Sequence, residues 1–188
     1  MKNNRKKFLA IILTFPITLS IYIYFFTGNL QFTEEIIINS DIKSVTELLV
    51  DPYNMTKYMD GIESYCVING EINQIGTESE IIALMGNEKI KMTEVVIVNN
   101  LPNEKKVTYS TDGVYNIVTN KLEVITLNKT RLINKQDFEF KGYMKIISFF
   151  MPSAFKKQSR IILKSFKDFA EERNNNLNQN NLLENDYQ

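Results

Sequence analysis

Residues 142–173 read GYMKIISFFMPSAFKKQSRIILKSFKDFAEER, and this stretch determines what the rest of the chain has to form. It predicts the longest helix of the chain, from about Met144 to Arg173, which Pro152 either kinks or restarts. The helix has one stripe of residues three or four positions apart, namely Phe155, Ser159, Ile162, Phe166, Phe169 and Arg173. Such an aromatic stripe has to be buried against an apolar surface.

An antiparallel sheet upstream is predicted to supply that surface. Apolar and β-branched segments between residues 63 and 141 alternate with turn sequences such as Asn69-Gly70 and Asp112-Gly113. We predict strands at 32–39, 63–69, 76–85, 88–99, 105–111, 115–127 and 129–141. Two short helices, one capped at Ser40-Asp41 and one beginning at Asp51-Pro52, follow the first strand. The predicted class is α+β, with about seven curved antiparallel strands wrapped around the long C-terminal helix.

Composition excludes several kinds of chemistry. The 188 residues include 22 Lys+Arg, 22 Asp+Glu and no His, so Ser-His-Asp triads, Cys-His pairs and HExxH zinc sites are ruled out. The balanced charge argues against a nucleic-acid partner. Cys66, the only cysteine, is expected to be a small buried hydrophobe within an apolar strand. No catalytic residue, metal or cofactor is assigned on these grounds.

The N-terminus has the pattern of a membrane anchor. Residues 1–7 form a basic leader with four positive charges, and residues 8–26 contain no charge. At 1.5 Å per residue this run is roughly 28 Å long, close to the hydrocarbon thickness of a bilayer. We predict an uncleaved anchor over 8–28, with the leader cytoplasmic and the domain on the opposite side. A cleaved signal peptide and a buried soluble helix are the alternatives.

The remaining chain divides into one domain and a tail. Residues 31–173 contain every predicted strand and the long helix, and no linker interrupts them. Residues 174–188 are rich in Asn and Gln and lack a periodic apolar face, so we predict a disordered tail.

The order of these elements resembles the START-like or Bet v 1-like superfamily, which includes polyketide cyclase/dehydrase and lipid-transport proteins. The similar phrases are EIIINSDIKSVTELLVD at 35–51, GTESE at 76–80, MTEVV at 92–96, FFMPSAFKKQ at 149–158 and LKSFKDFAE at 163–171. The chain is thus similar to a membrane-anchored bacterial member. The resemblance implies a helix-grip fold around an apolar cavity that binds a hydrophobic small molecule or lipid, and it transfers no catalytic residue.

Candidate cavity residues follow from strand alternation and the helix stripe. They are Met85, Met92, Tyr109, Tyr115, Phe138, Phe140, Met144, Phe155, Ile162, Phe166 and Phe169. The same residues would also fit a filled core. Tyr65, Tyr109 and Tyr115 are candidate hydroxyl donors, and Glu94 is expected to pair with Arg131.

Three functions remain open at this stage. A membrane-anchored ligand-binding module without catalysis is the main hypothesis. A cyclase or dehydratase using a cavity tyrosine and a carboxylate is the second, and an interaction adaptor with a collapsed cavity is the third. The oligomeric state is not predicted.

The anchor makes a direct prediction for the full-length protein. Because a spanning helix is held by the bilayer rather than by surface charge, an alkaline carbonate wash should leave the intact chain in the membrane pellet. Immunoblotting of pellet and supernatant measures this. Intact chain in the supernatant would contradict the anchor, and a shortened chain would indicate a cleaved signal.

Overall fold

The structure is a computed structural model that describes residues 12, 14–22, 25 and 28–185. The described residues before Gly28 are helical, and the hydroxyl groups of Thr18 and Ser20 donate to the carbonyl oxygens of Thr14 and Pro16 at 3.1 and 2.7 Å. In this described part of the chain, no helix is long and apolar enough to span a bilayer. The leader 1–7 and much of the predicted anchor lie outside the described residues, so the anchor stays a prediction.

The domain begins with a strand followed by short helices. Strand β1 is Asn29–Ile38, helix α1 is Ile42–Val50, a 3-10 turn covers Pro52–Asn54, and helix α2 is Met55–Tyr58. The Asp41 carboxylate accepts from the backbone N–H groups of Lys43 and Ser44, both at 3.0 Å, and so caps α1 as predicted. The Asp51 carboxylate accepts from Tyr53 N–H at 3.0 Å and starts the 3-10 turn in the same way.

Six more strands complete an antiparallel sheet. They are β2 (Ile62–Asn69), β3 (Glu78–Met85), β4 (Glu88–Asn100), β5 (Glu104–Thr111), β6 (Val114–Thr126) and β7 (Lys129–Phe140). The order across the sheet is β1-β7-β6-β5-β4-β3-β2, so each later strand pairs with its chain neighbour while β1 pairs with β7. Register shifts in the β2/β3, β4/β5 and β6/β7 ladders mark irregular pairing, which bends and twists strands.

The C-terminal helical region is broken at the predicted proline. Helix α3 spans Met144–Phe150, and helix α4 spans Pro152–Asn185. Met151 lies between them with φ −130° and ψ 47°, so Pro152 restarts the helix rather than kinking it. Proline suits this first position because it needs no N–H partner there.

The backbone of α4 continues to Asn185, beyond residue 174, where the disordered tail was predicted to begin. No Gly or Pro follows Pro152, so an established helix meets no stop signal. The side chain of Asn174 still contacts the residue after β1, donating to the Asn39 carbonyl oxygen at 3.4 Å.

The main hydrophobic core lies between α4, α1 and one face of the sheet, which we call the inner face. It contains Ile38, Val45, Leu48, Leu122, Leu132, Leu163, Phe166 and Ala170. Phe166 of the predicted stripe is 2 % exposed, and its ring centroid lies 5.0 Å from that of Tyr58. The helix-on-sheet packing predicted from the sequence is therefore present.

Cys66 is exposed, and its predicted burial was wrong. Its neighbour Tyr65 is buried instead. Successive strand side chains point to opposite faces, so the burial of Tyr65 places Cys66 on the outer face.

Truncation of Phe166 tests the helix-on-sheet core. Phe166→Ala should lower the free energy of unfolding by about 3–5 kcal/mol, because it leaves a cavity at the centre of the core. Phe150→Ala is the matched control, since Phe150 is 62 % exposed and its loss should change stability by less than about 0.5 kcal/mol. Urea unfolding of the full-length protein measures both, and equal losses would contradict the assigned core.

Candidate functional site

A cavity of about 370 Å³ lies between the inner face of the sheet and α4. Helix α4 contributes Phe155, Ile162, Leu163 and Phe166 to its wall, and Leu49, Met55, Tyr58 and Met59 border it from the α1 and α2 region. The sheet contributes Met92, Val114, Val118, Leu132 and Phe138. Most of the wall is therefore apolar, as a site for an apolar ligand requires.

Six of the predicted cavity residues lie on this wall. They are Met92, Tyr109, Phe138, Phe155, Ile162 and Phe166. Their contact with a ligand stays a prediction, since the structure contains the protein alone.

Two predicted residues have other positions because of strand parity and packing. Tyr115 is exposed, because Asn116 faces the cavity and adjacent strand residues face opposite sides. Phe140 is fully buried beyond the wall, with ring centroids 5.4 Å from Phe138 and 4.8 Å from Phe155. It supports the wall without forming it.

The other two described side chains pack away from the cavity wall. Met144 covers the turn at Gly113, where an added Cβ would lie 3.1 Å from its Cγ atom. Phe169 packs against the main core, with its ring centroid 6.0 Å from that of Tyr58. Met85 ends β3, and its side chain lies outside the described ones.

The cavity also has a row of amide side chains that the sequence analysis missed. Asn116 Nδ2 donates to Gln136 Oε1 at 2.7 Å, and Gln136 Nε2 donates to Asn134 Oδ1 at 2.6 Å. Asn134 Nδ2 then donates to Asn120 Oδ1 at 2.6 Å, while Ser159 Oγ of α4 donates to Asn134 Oδ1 at 3.2 Å. We call these five residues the amide ladder. The sequence did contain a signal for this row. Asn116 and Asn120 share one face of β6, and the adjacent strand β7 carries Asn134 and Gln136.

One polar atom of the amide ladder has no partner. Among the described residues, Asn116 Oδ1 is buried without a hydrogen bond, and the side chain as a whole is only 8 % exposed. An unsatisfied buried acceptor costs about 1–3 kcal/mol. Asn116 lines the cavity, but this oxygen has almost no accessible surface there, so the side chain would have to rotate before a ligand could donate to it and remove this cost.

A second polar group surrounds Glu94, which is 4 % exposed on the inner face of β4. The Tyr65 hydroxyl donates to Glu94 Oε1 at 2.9 Å, and Ser79 Oγ donates to the Tyr65 hydroxyl oxygen at 2.7 Å. Tyr109 is the cross-strand partner of Glu94 on β5, and it lines the cavity. Tyr109 thus lies between a buried carboxylate and the cavity.

The expected pairing of Glu94 with Arg131 was wrong. Arg131 lies on β7, three positions away from β4 in the sheet order. Its guanidinium lies 3.2 Å from Glu123 and 3.7 Å from Glu35, both exposed carboxylates on neighbouring strands. Sequence alone did not identify which strands are neighbours.

Burial and the Glu94 charge set the ionisation of the surrounding groups. Burial, reinforced by the nearby carboxylate, raises the pKa values of Tyr58, Tyr65 and Tyr109 above the ordinary tyrosine value. Burial lowers the pKa of Lys105, opposed by the charges of Glu94 and Asp51. These tyrosines are therefore neutral hydrogen-bond donors at physiological pH.

Lys105 also supports the end of α1. Its ammonium group donates to the carbonyl oxygens of Leu49 and Val50 at 3.1 and 3.4 Å. A cation at a helix C-terminus is favourable. Across the described residues, no three Cys, Asp or Glu side chains lie together as a metal site.

Comparison with solved structures confirms the predicted fold. The aromatase/cyclase Zhui from Streptomyces sp. R1128 has a TM-score of 0.67 and 12% identity, covering 77% of this chain and 95% of that chain. Ara h 8.0201 has a TM-score of 0.62 and 17% identity, covering 76% and 98%. A START superfamily protein from Mycobacterium smegmatis has a TM-score of 0.59 and 12% identity, covering 78% and 98%.

These neighbours agree with the resemblance to START-like and Bet v 1-like domains. At such identities the agreement concerns the fold. No protein-family model and no curated protein matches the sequence.

Replacement of Tyr65 tests the buried Glu94 group. Tyr65→Phe removes a hydrogen bond from a buried carboxylate, so the free energy of unfolding at neutral pH should fall by about 1–3 kcal/mol. In the wild type, tyrosines with raised pKa values stabilise the fold fully below about pH 10, and this stability is lost as pH rises further. The variant should therefore show a shallower loss above pH 10.

Urea unfolding between neutral pH and pH 11 measures both effects. Tyr143→Phe is the matched control, since Tyr143 is exposed and its variant should behave as the wild type. A Tyr65→Phe protein as stable as the wild type would mean that the hydroxyl does not support Glu94.

Proposed function

We propose that this protein is a membrane-anchored binding module for a hydrophobic small molecule or lipid, held in the cavity between the sheet and α4. The observation that supports this most directly is an apolar cavity of about 370 Å³ with one unpartnered acceptor on its wall. Burial of an incompletely hydrogen-bonded side chain such as Asn116 lowers the stability of the fold, so its place on the wall is better explained by a ligand than by packing alone. The predicted anchor would hold the domain at the source of such molecules, on the side opposite the cytoplasmic leader.

The amide ladder defines the ligand class more closely. Four amide side chains in a row stand among apolar residues, so the ligand is expected to be mainly apolar with one hydroxyl or similar donor. Asn116 Oδ1 would accept that hydrogen bond, and Phe155, Ile162 and Phe166 would contact the apolar part. One such bond contributes about 0.5–1.5 kcal/mol, which corresponds to roughly two- to tenfold in affinity.

Native mass spectrometry of the detergent-solubilised full-length protein tests this with 1-dodecanol and its methyl ether. The two probes share a chain, and only the alcohol has an O–H donor. The wild type should prefer the alcohol roughly two- to tenfold, and Asn116→Leu should remove the preference. Equal binding of both probes by the wild type would contradict the assigned ligand class, and binding of neither would contradict the module itself.

A blocking variant tests the position of the ligand. Ile162→Trp places a larger side chain on the cavity wall, whereas Ile161→Trp makes the same change at the exposed neighbour. Ile162→Trp should weaken 1-dodecanol binding by at least about tenfold, and Ile161→Trp should leave it unchanged. Equal effects of the two variants would place the ligand outside the cavity.

A cyclase-type enzyme is the second candidate, favoured by the position of Tyr109 opposite Glu94 in the sheet and on the cavity wall. In this hypothesis the neutral Tyr109 hydroxyl, positioned beside Glu94, donates to a ligand carbonyl. A solvent molecule takes the proton from the carbon next to the carbonyl, and solvent returns a deuteron when the ketone re-forms. Mass spectrometry of 2-dodecanone incubated with the protein in D₂O would detect enolisation as deuterium next to the carbonyl. Incorporation that Tyr109→Phe abolishes would support this candidate, and none above the protein-free rate would exclude enolisation of this ketone.

A further inference from the structure

We propose that α3, with the flanking residues Tyr143 and Met151, docks on the surface of the lipid bilayer beside the predicted anchor. These residues, 143–151, are called the docking face below. The proposal rests on the membrane tether of the proposed function, and it is independent of ligand binding.

Helix α3 buries a polar residue and exposes apolar ones, which is the reverse of a helix that packs on a core. Its only buried residue is Ser148, while Ile146, Ile147, Phe149 and Phe150 are exposed. Tyr143 and Met151 extend the exposed apolar surface at the two ends. Contiguous large apolar side chains in contact with water indicate an interaction surface.

The docking face lies where the chain enters the domain from the predicted anchor. The Gly28 carbonyl oxygen accepts from Phe140 N–H at 2.6 Å, which fixes Gly28 beside the end of β7. A Cβ on Gly28 would lie 3.0 Å from the side chain of Lys145 in α3. Because the predicted anchor ends at residue 28, no spacer separates α3 from the membrane.

The charge around the docking face suits an anionic lipid surface. From residue 141 to residue 167 the sequence contains seven Lys or Arg residues and no Asp or Glu. Lys141 is exposed and pairs with Glu139, and Arg160, Lys164 and Lys167 also pair with carboxylates. Lys157 is exposed as well. Basic side chains around an apolar helix face are typical of helices that lie in the bilayer interface, with their apolar residues among the lipid headgroups.

A second copy of the chain is the competing occupant of this surface. The position of Gly28 favours the bilayer, since the anchor would keep α3 at the membrane at any protein concentration. A partner chain would have to displace lipid that is already adjacent.

The absence of tryptophan from the sequence allows a direct test. Phe150→Trp places a single indole on the docking face of the full-length protein, which is reconstituted in mixed phosphatidylcholine and phosphatidylglycerol vesicles. Fluorescence is compared between vesicles with ordinary and with brominated acyl chains, because bromine quenches only an indole that contacts the lipid. Ile146→Trp provides the same measurement if the first variant folds poorly.

Leu127→Trp is the matched control. Leu127 is 90 % exposed in the turn between β6 and β7, at the opposite end of β7 from Phe140. The twelve residues of β7 separate Leu127 from Phe140 by roughly 36 Å along the strand. Its fluorescence should be equal in the two kinds of vesicle.

The expected result is at least about a twofold loss of Phe150→Trp fluorescence in brominated vesicles, with Leu127→Trp unchanged. Vesicle pelleting of the same samples reports the tether separately. If the Phe150→Trp protein pellets and its indole is not quenched, the docking face is overturned and the tether is retained. If the indole is shielded from both water and lipid, a protein partner covers this face instead of the bilayer. Protein that stays in the supernatant overturns the tether together with the docking face.

Discussion

The packing of one stripe of α4 against the inner face of the sheet is the constraint on which the structure depends. Leu163, Phe166 and Ala170 of this helix are buried against β1, β6, β7 and α1. A seven-stranded sheet has one face that must be removed from water, and no other element of the domain is long enough to cover it. The cavity exists because α4 covers this face without filling all of the space beneath it.

Much of this arrangement could be predicted because hydrophobic periodicity reports burial directly. The strands, the cap at Ser40-Asp41, the helix start at Asp51-Pro52 and the break at Pro152 all depend on local chemistry that a single sequence displays. Several wrong predictions concern strand residues, where a shift of one position decides which face of the sheet a side chain is on. Tyr65 and Cys66, like Tyr115 and Asn116, differ only in strand parity, and a shift of one residue exchanges the two faces.

The polar part of the candidate site was harder to predict for a different reason. Asn and Gln are common in this sequence, so Asn116, Asn120, Asn134 and Gln136 did not stand out from residues on the surface. Their significance depends on the pairing of β6 with β7, which places them side by side. Glu94 was misassigned in the same way, because Tyr65, its hydrogen-bond partner, and Ser79, its cross-strand neighbour, are far from it in sequence and close to it only in the sheet.

The segment that connects the two edge strands of the sheet also borders the cavity. Strands β1 and β2 are consecutive along the chain, yet they lie at opposite ends of the strand order. The segment between them contains α1, the 3-10 turn and α2, and Leu49, Met55 and Tyr58 of this segment border the cavity. Movement of this strap would widen the cavity without breaking any hydrogen bond between strands. In the proposed function, the sheet would stay rigid while this segment moved to admit or release a molecule.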